Sequence, residues 1–265
     1  MTERLQSQNI VLRGTYGDME IRVVKCIPES PIGVHIVLLH GVHSSANMGF
    51  RNKFRHLAET LVLRGFTPWL VETSRKTRNR AGFADDLGAW IQGAFDGKTF
   101  AQEQEDFFIA IDEILRRALS DRVWLWGFSL GGMIALSAAA RAVRPLSGSP
   151  AAVDRLIMSG TGLVAYSESQ KRMMKMPILS TIGSSLSPDM LGHVRVKGCI
   201  LFRGSEDGIF SEQSCLDLLN SIDLPPESKH FHTIEGADHS MRLRHGRNAP
   251  DIMDEMVGFI ADKWL

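Results

Sequence analysis

Three short stretches of this 265-residue chain carry residue types at spacings that suit nucleophilic catalysis. The first is Gly127-Phe128-Ser129-Leu130-Gly131, which follows the apolar run Val123-Trp124-Leu125-Trp126 and opens a stretch rich in Ala and Gly. A serine between two such glycines, where a strand turns into a helix, describes a sharp turn that lifts the hydroxyl clear of the backbone. Side chains at 127 and 131 would collide with the neighbouring strand and helix. The hydroxyl also sits at the positive end of the following helix dipole. The plainer reading is a tight turn with a helix-capping serine, and the downstream residues weigh against it.

A serine hydroxyl attacks poorly until a neighbouring base takes its proton. That base should be a histidine on a later loop, oriented by a carboxylate on a loop between the two, in the chain order Ser, acid, His. Gly204-Ser205-Glu206-Asp207-Gly208 follows the apolar run Cys199–Phe202, and Gly236-Ala237-Asp238-His239-Ser240 follows His230–Ile234. Of nine histidines only His239 lies late in the chain at such a strand end, with His245 as the fallback. Asp207 is the preferred acid. Glu206 and Asp238 compete with it, but Glu206 as an adjacent residue points elsewhere. Asp238 is too close in sequence to reach the far side of His239 easily.

The elements that must position these loops are legible as periodicities. Ile10–Arg13 and Met19–Cys26, joined through Tyr16-Gly17-Asp18, predict a hairpin. Val34–Leu39, Thr67–Val71, Val123–Trp126, Leu156–Met158, Cys199–Phe202 and His230–Ile234 predict strands. Helical spacing marks Phe50, Phe54, Leu57 and Leu61, with Gly65 closing that helix, and then Phe107, Ile111, Ile114, Leu115 and Ala118. Further helices are expected over Leu130–Val143, near Gln213–Ser221, and after Pro250. Residues 73–100 read as irregular. Strands alternating with helices imply a mostly parallel sheet, made mixed by the hairpin, with helices on both faces and the site at the carboxyl ends of the strands.

On the His40-Gly41 loop, the elbow at 127–131, the Gly-x-x-Asp at 204–207 and the Gly-x-x-His at 236–239, the sequence resembles the α/β-hydrolase superfamily over nearly the whole chain. The resemblance implies one α/β-hydrolase domain spanning 1–265, with a short lid insertion at about 161–197. It implies Ser129 as nucleophile, His239 as general base and then acid, and Asp207 as the carboxylate that orients His239. The N–H groups of Leu130 and of Val42 are the expected donors to the oxyanion. His40 and His43, three apart, are read as loop-ordering residues rather than a metal pair, and neither metal nor cofactor is expected. Serine at the elbow points to acyl chemistry. A carboxylesterase leads; an acyl-carrier thioesterase or acyltransferase is the alternative, and a non-catalytic binding protein on the same fold is the rival of a different class.

Two features bear on substrate. The insertion is apolar and rich in Met, including Met173 and Met176, which suits an acyl-chain pocket or plain packing on the core. Basic runs at Arg75, Lys76, Arg78 and Arg80, at Lys171, Arg172 and Lys175, and at Arg242, Arg244 and Arg247 fall on segments near the expected rim. The candidate substrate-binding residues are His43, Phe128, Met173, Met176, Arg78 and Arg244, and the expected partner is a small acyl ester or thioester, anionic if the rim is positive. With 30 basic and 30 acidic residues the balance is zero, which argues against a dedicated nucleic-acid binder. No uncharged apolar run approaches the roughly 18 residues a membrane helix needs. The absence of an apolar leader after Met1 and the three scattered cysteines fit a reduced, cytoplasmic protein.

Overall fold

The computed structural model describes residues 5–50, 52–83, 86–118, 121–141, 153–183, 188–242 and 249–265. Eight strands form one sheet. They are β1 (Ser7–Arg13), β2 (Glu20–Cys26), β3 (Val34–Leu39), β4 (Thr67–Glu72), β5 (Arg122–Phe128), β6 (Val153–Ser159), β7 (Cys199–Gly204) and β8 (Lys229–Ile234). Their order across the sheet is β1-β2-β4-β3-β5-β6-β7-β8. The hairpin β1–β2 is antiparallel, β2 runs antiparallel to β4, and every later neighbour is parallel.

The central strands are apolar on both faces because both faces are covered. In β3, Val37 and Leu39 point into one core layer while Ile36 and Leu38 point into the other. Helices α1 (Lys53–Leu63) and α8 (Ala249–Trp264) cover the second layer, where Phe54, Leu57, Met256 and Ile260 meet Trp124, Trp126 and Phe202. Helices α3 (Phe100–Ala118), α4 (Leu130–Ala140) and α7 (Glu212–Ser221) supply the first, with Phe107, Ile111, Ile134 and Leu218. Each fully buried Leu or Ile is worth about 1.5–3 kcal/mol of transfer free energy, so the two layers hold the strand ends in fixed register. All three cysteines are buried thiols, and burial pushes each of them up to about 12.

The remaining helices are α2 (Leu87–Phe95), α5 (Ser167–Met173) and α6 (Pro188–Leu191). Helix α2 corrects the irregular reading of 73–100. Asp86 caps it by accepting from the Ala89 N–H, and Trp90, Ala94 and Phe95 are buried. Gly88 and Gly93 dilute the helical pattern there, which is why spacing alone does not find it. Phe50 is 85% exposed and precedes α1, which starts instead at the Asn52 cap. Helix α4 ends at Ala140, where the extended backbone of Arg141 closes it short of the expected Val143, and residues 142 and 143 lie outside the described residues. Among the described residues no helix is long and apolar enough to cross a bilayer.

A buried ionic cluster lies behind the loop that follows β3. Lys98 and Glu103 have no exposed side-chain surface. Lys98 Nζ donates to Glu103 (2.5 Å), to Asp106 (2.9 Å) and to the Ser74 carbonyl (2.6 Å). Asp106 also accepts from the hydroxyls of Thr15 and Ser74, tying the β1–β2 turn to α3. Burial pushes the Glu103 carboxyl up, but Lys98, His40 and Arg75 outweigh it and hold the group below the usual carboxylate range.

Candidate active site

Ser129 occupies the turn between β5 and α4 with φ 53° and ψ −117°, a backbone conformation that L residues rarely adopt. The turn closes only because its flanks lack side chains. A Cβ at Gly127 would lie 2.1 Å from the Gly131 carbonyl oxygen, and one at Gly131 would lie 2.5 Å from the carbonyls of Leu39 and His40. The Ser129 N–H donates to the Ser159 carbonyl at 2.8 Å, anchoring the elbow to the end of β6.

The loops after β7 and β8 meet this turn. With its proton on Nδ1, His239 accepts from the Ser129 hydroxyl at Nε2 (2.8 Å) and donates to Asp207 at 3.0 Å. Asp207 is 4% exposed and also accepts the N–H groups of Ile209 (2.7 Å) and Phe210 (3.1 Å). Burial pushes this carboxyl up. The hydrogen bond and charge of His239, with the two backbone donors, outweigh that and hold it below its ordinary value. Asp238 is engaged elsewhere, accepting from the N–H groups of Ser240 and Arg242. The fallback His245 lies outside the described residues.

The loop after β3 packs against the elbow. A Cβ at Gly41 would be 3.4 Å from the Ser129 Cβ. The N–H of Leu130, first in α4, has no intrahelical acceptor, and Val42 follows Gly41 on the wall of the groove that Ser129 faces. His40 donates from Nδ1 to the Gly41 carbonyl (2.8 Å), and burial pushes its imidazole down to about 4, so the ring is neutral near pH 7. His43, in a left-handed backbone conformation, donates from Nε2 to the Pro177 carbonyl (2.9 Å). The two histidines therefore serve separate partners.

Ser129 and His239 open onto a groove of about 1320 Å³, whose walls include Val42, His43, Phe128, Met176 and Arg78. Met173 is not on those walls and packs half-buried against the core. The segment from 160 to 183 is docked as well as bordering the groove: Ile178 and Leu179 are buried, and the Ile178 N–H donates to the Lys98 carbonyl.

Part of the expected basic rim is paired with carboxylates. Arg75 is 1% exposed, and its guanidinium reaches the Ser44 carbonyl, the Ser45 hydroxyl and Glu72. Arg78 pairs with Asp18 (2.8 Å) and Glu72 (2.6 Å). Lys171 pairs with Glu168 on the surface, and Arg244 and Arg247 lie outside the described residues. A run of basic letters does not reveal the carboxylates that the fold folds onto it. Sequence spacing also missed Lys53, Trp90 and Arg22 on the groove walls. Lys53 had one available signal, its place directly after the loop that follows β3.

Glu72 gives a pH test of this pairing. Burial pushes its carboxyl up, while Arg75 and Arg78 more than reverse the effect. Because the folded value is depressed, ionised Glu72 stabilises the fold fully above the ordinary carboxylate value of 4.5, and the contribution fades as pH falls through the folded value. The gap in urea midpoint between the wild type and Glu72→Gln should therefore narrow on acidification below that range. A gap that stays constant with pH would mean the pairing contributes nothing.

No family model and no curated protein matches the chain. Solved structures do match. A soluble variant of monoglyceride lipase from Saccharomyces cerevisiae superposes with a TM-score of 0.69 at 12% identity, covering 99% of this chain and 96% of that one. A cold-adapted esterase from an Arctic intertidal metagenomic library gives 0.64 at 17% identity, covering 98% and 96%. A serine hydrolase without lid from Xanthomonas campestris gives 0.61 at 18% identity, covering 98% and 95%. The chain has the α/β-hydrolase fold. In the α/β-hydrolase fold the ends of β3, β5, β7 and β8 converge on one edge, and here they carry Gly41, Ser129, Asp207 and His239.

Proposed function

We propose that the protein is a serine hydrolase that cleaves a carboxylic ester through an acyl-enzyme. The observation that carries this reading is the relay of hydrogen bonds Ser129–His239–Asp207, at 2.8 and 3.0 Å, at the floor of an open groove. Ser129 Oγ attacks the ester carbonyl carbon while His239 Nε2 takes its proton. The negative charge that develops on the carbonyl oxygen is met by the N–H groups of Leu130 and Val42. Collapse breaks the C–O bond to the leaving alcohol, which takes the proton back from His239. Water then repeats the cycle on the acyl-Ser129 ester and releases the acid. Asp207 remains ionised throughout and holds the Nδ1 proton in place. Similar structures that are an esterase and a monoglyceride lipase support an ester as the target.

Thioester cleavage by the same atoms is the second reading, favoured by the room in the groove and by Met176 on its wall. A fluorophosphonate probe tests the shared chemistry, and a panel of p-nitrophenyl esters and acyl-CoAs of graded chain length separates the two. The expected results are a covalent adduct mapping to Ser129 and turnover that favours the oxygen esters. Folded protein that takes no label and turns over neither series would instead favour a binding protein on this fold.

A further inference from the structure

The groove beside Ser129 has an unbalanced charge. Among the described residues its walls bring five cations, Arg22, Lys53, Arg78, Arg80 and Arg242, against the single carboxylate of Glu72. Arg22 is paired with Glu20, and Arg78 with Asp18 and Glu72. Lys53 differs from these in having no carboxylate within ion-pair distance among the described residues while standing next to the reacting groups. Its ammonium donates to the carbonyl of Ser240, the neighbour of His239, at 2.7 Å. It lies 4.3 Å from the ring centroid of Phe128, the neighbour of Ser129, and 5.4 Å from that of Phe54.

The Ser240 carbonyl takes one of the three protons on Nζ, and Lys53 is half-buried on the groove wall, so the ammonium has two donors to offer a group bound in the groove. The aromatic faces replace only part of the hydration that the ammonium gives up on entering the wall. Burial, and then the charge of Arg242, push the Lys53 ammonium down to about 7, against a smaller opposing pull from Asp238. A cation held in this way, with no carboxylate paired to it among the described residues, suits an anion that offers two acceptor atoms. Extending the reading of the protein as an ester hydrolase, we infer that Lys53 binds a second, non-reacting carboxylate of the substrate, so that the preferred esters are half-esters of dicarboxylic acids or esters of hydroxy acids. A carboxylate has two oxygens for those two donors, whereas a phosphate would leave acceptors unmet at a single lysine.

The test compares monoalkyl esters of four- to six-carbon dicarboxylic acids, and acetoxybenzoates, with their neutral methyl-ester counterparts. In the wild type the carboxylate-bearing member of one of these series should have the higher kcat/KM. Lys53→Met should lower kcat/KM at least tenfold more for that member than for its neutral counterpart, mainly through KM, and Lys53→Arg should restore much of the preference. Equal losses on the two members would overturn the inference while leaving the hydrolase reading intact. A protein that takes no fluorophosphonate and cleaves no ester would instead overturn the hydrolase reading. Protection of wild-type Ser129 from the probe gives a measurement independent of any variant. Glutarate should slow labelling at millimolar concentration and inorganic phosphate should not. Stronger protection by phosphate, or none by glutarate, would overturn the assignment to a carboxylate.

Discussion

Ser129→Ala should lower kcat on any ester the protein cleaves by a factor on the order of 10⁶, with the fold intact. The size of the effect follows from the division of labour in the site. Among the described residues Ser129 supplies the only oxygen held at 2.8 Å from His239 Nε2, so in the proposed mechanism its loss removes both the nucleophile and the purpose of the base. His239→Ala should cost about as much, because these residues act as a unit, and the double variant should be hardly worse than either single one. Asp207→Asn should cost less, on the order of 10⁴-fold, because it leaves nucleophile and base in place but presents the imidazole in the wrong tautomer. Initial rates on p-nitrophenyl esters, with circular dichroism to verify folding, check all three. A Ser129→Ala protein within tenfold of the wild type would remove Ser129 from the mechanism. Any residual rate above that of water would measure what the Leu130 and Val42 N–H groups and the groove contribute on their own.

Lys98→Met should produce a large loss of stability from one substitution away from the site, about 3–5 kcal/mol. The lysine is wholly buried and holds two wholly buried carboxylates, Glu103 at 2.5 Å and Asp106 at 2.9 Å. Taking it away leaves two negative charges facing each other without water. The hydroxyls of Thr15 and Ser74 can still satisfy Asp106, but Glu103 keeps no cation in contact. For a chain of this size the loss corresponds to roughly 6–20 °C in melting temperature. It should also depend on pH in a definite sense. Without Lys98 a buried carboxyl is pushed above its unfolded value, so the folded variant binds the extra proton and its deficit shrinks in acid and grows at neutral pH. Melting temperatures at pH 5 and pH 8 test this. A melting temperature within about 2 °C of the wild type at pH 8 would show that the cluster has no net role in stability.

The positions of the strands along the chain and the elbow were readable because both rest on local patterns. Val34–Leu39 is apolar throughout because both its faces are covered, and Gly127 and Gly131 are glycines because the turn admits no other side chain. Asp207 could be preferred over Glu206 and Asp238 by position alone. Helix α2 was hidden by Gly88 and Gly93, and the start of α1 was placed too early because Phe50 happens to sit in phase with Phe54. The ion pairs within the basic run at 75–80 were hidden for a different reason. Arg75 and Arg78 read as a basic rim, and only the fold brings Asp18 and Glu72 onto them. Lys53 was passed over because nothing in its neighbours along the chain reveals that Ser240 and Phe128 will surround it.

The strand β8, at the edge of the sheet beside β7, has a consequence for how the molecule comes into being. Ser129 and His239 are 110 residues apart, and their loops meet only after β8 has docked along β7. Pairings between such distant segments close late, since the entropy of the intervening loop must be lost before the contact returns anything. A growing chain that has formed β5, α4 and β6 therefore displays a finished elbow whose serine has neither acid nor base. In the proposed mechanism its hydroxyl is inert until the sheet is complete. Recovery of activity during refolding is then a clock for the final pairing event, and it should lag behind the recovery of helical signal.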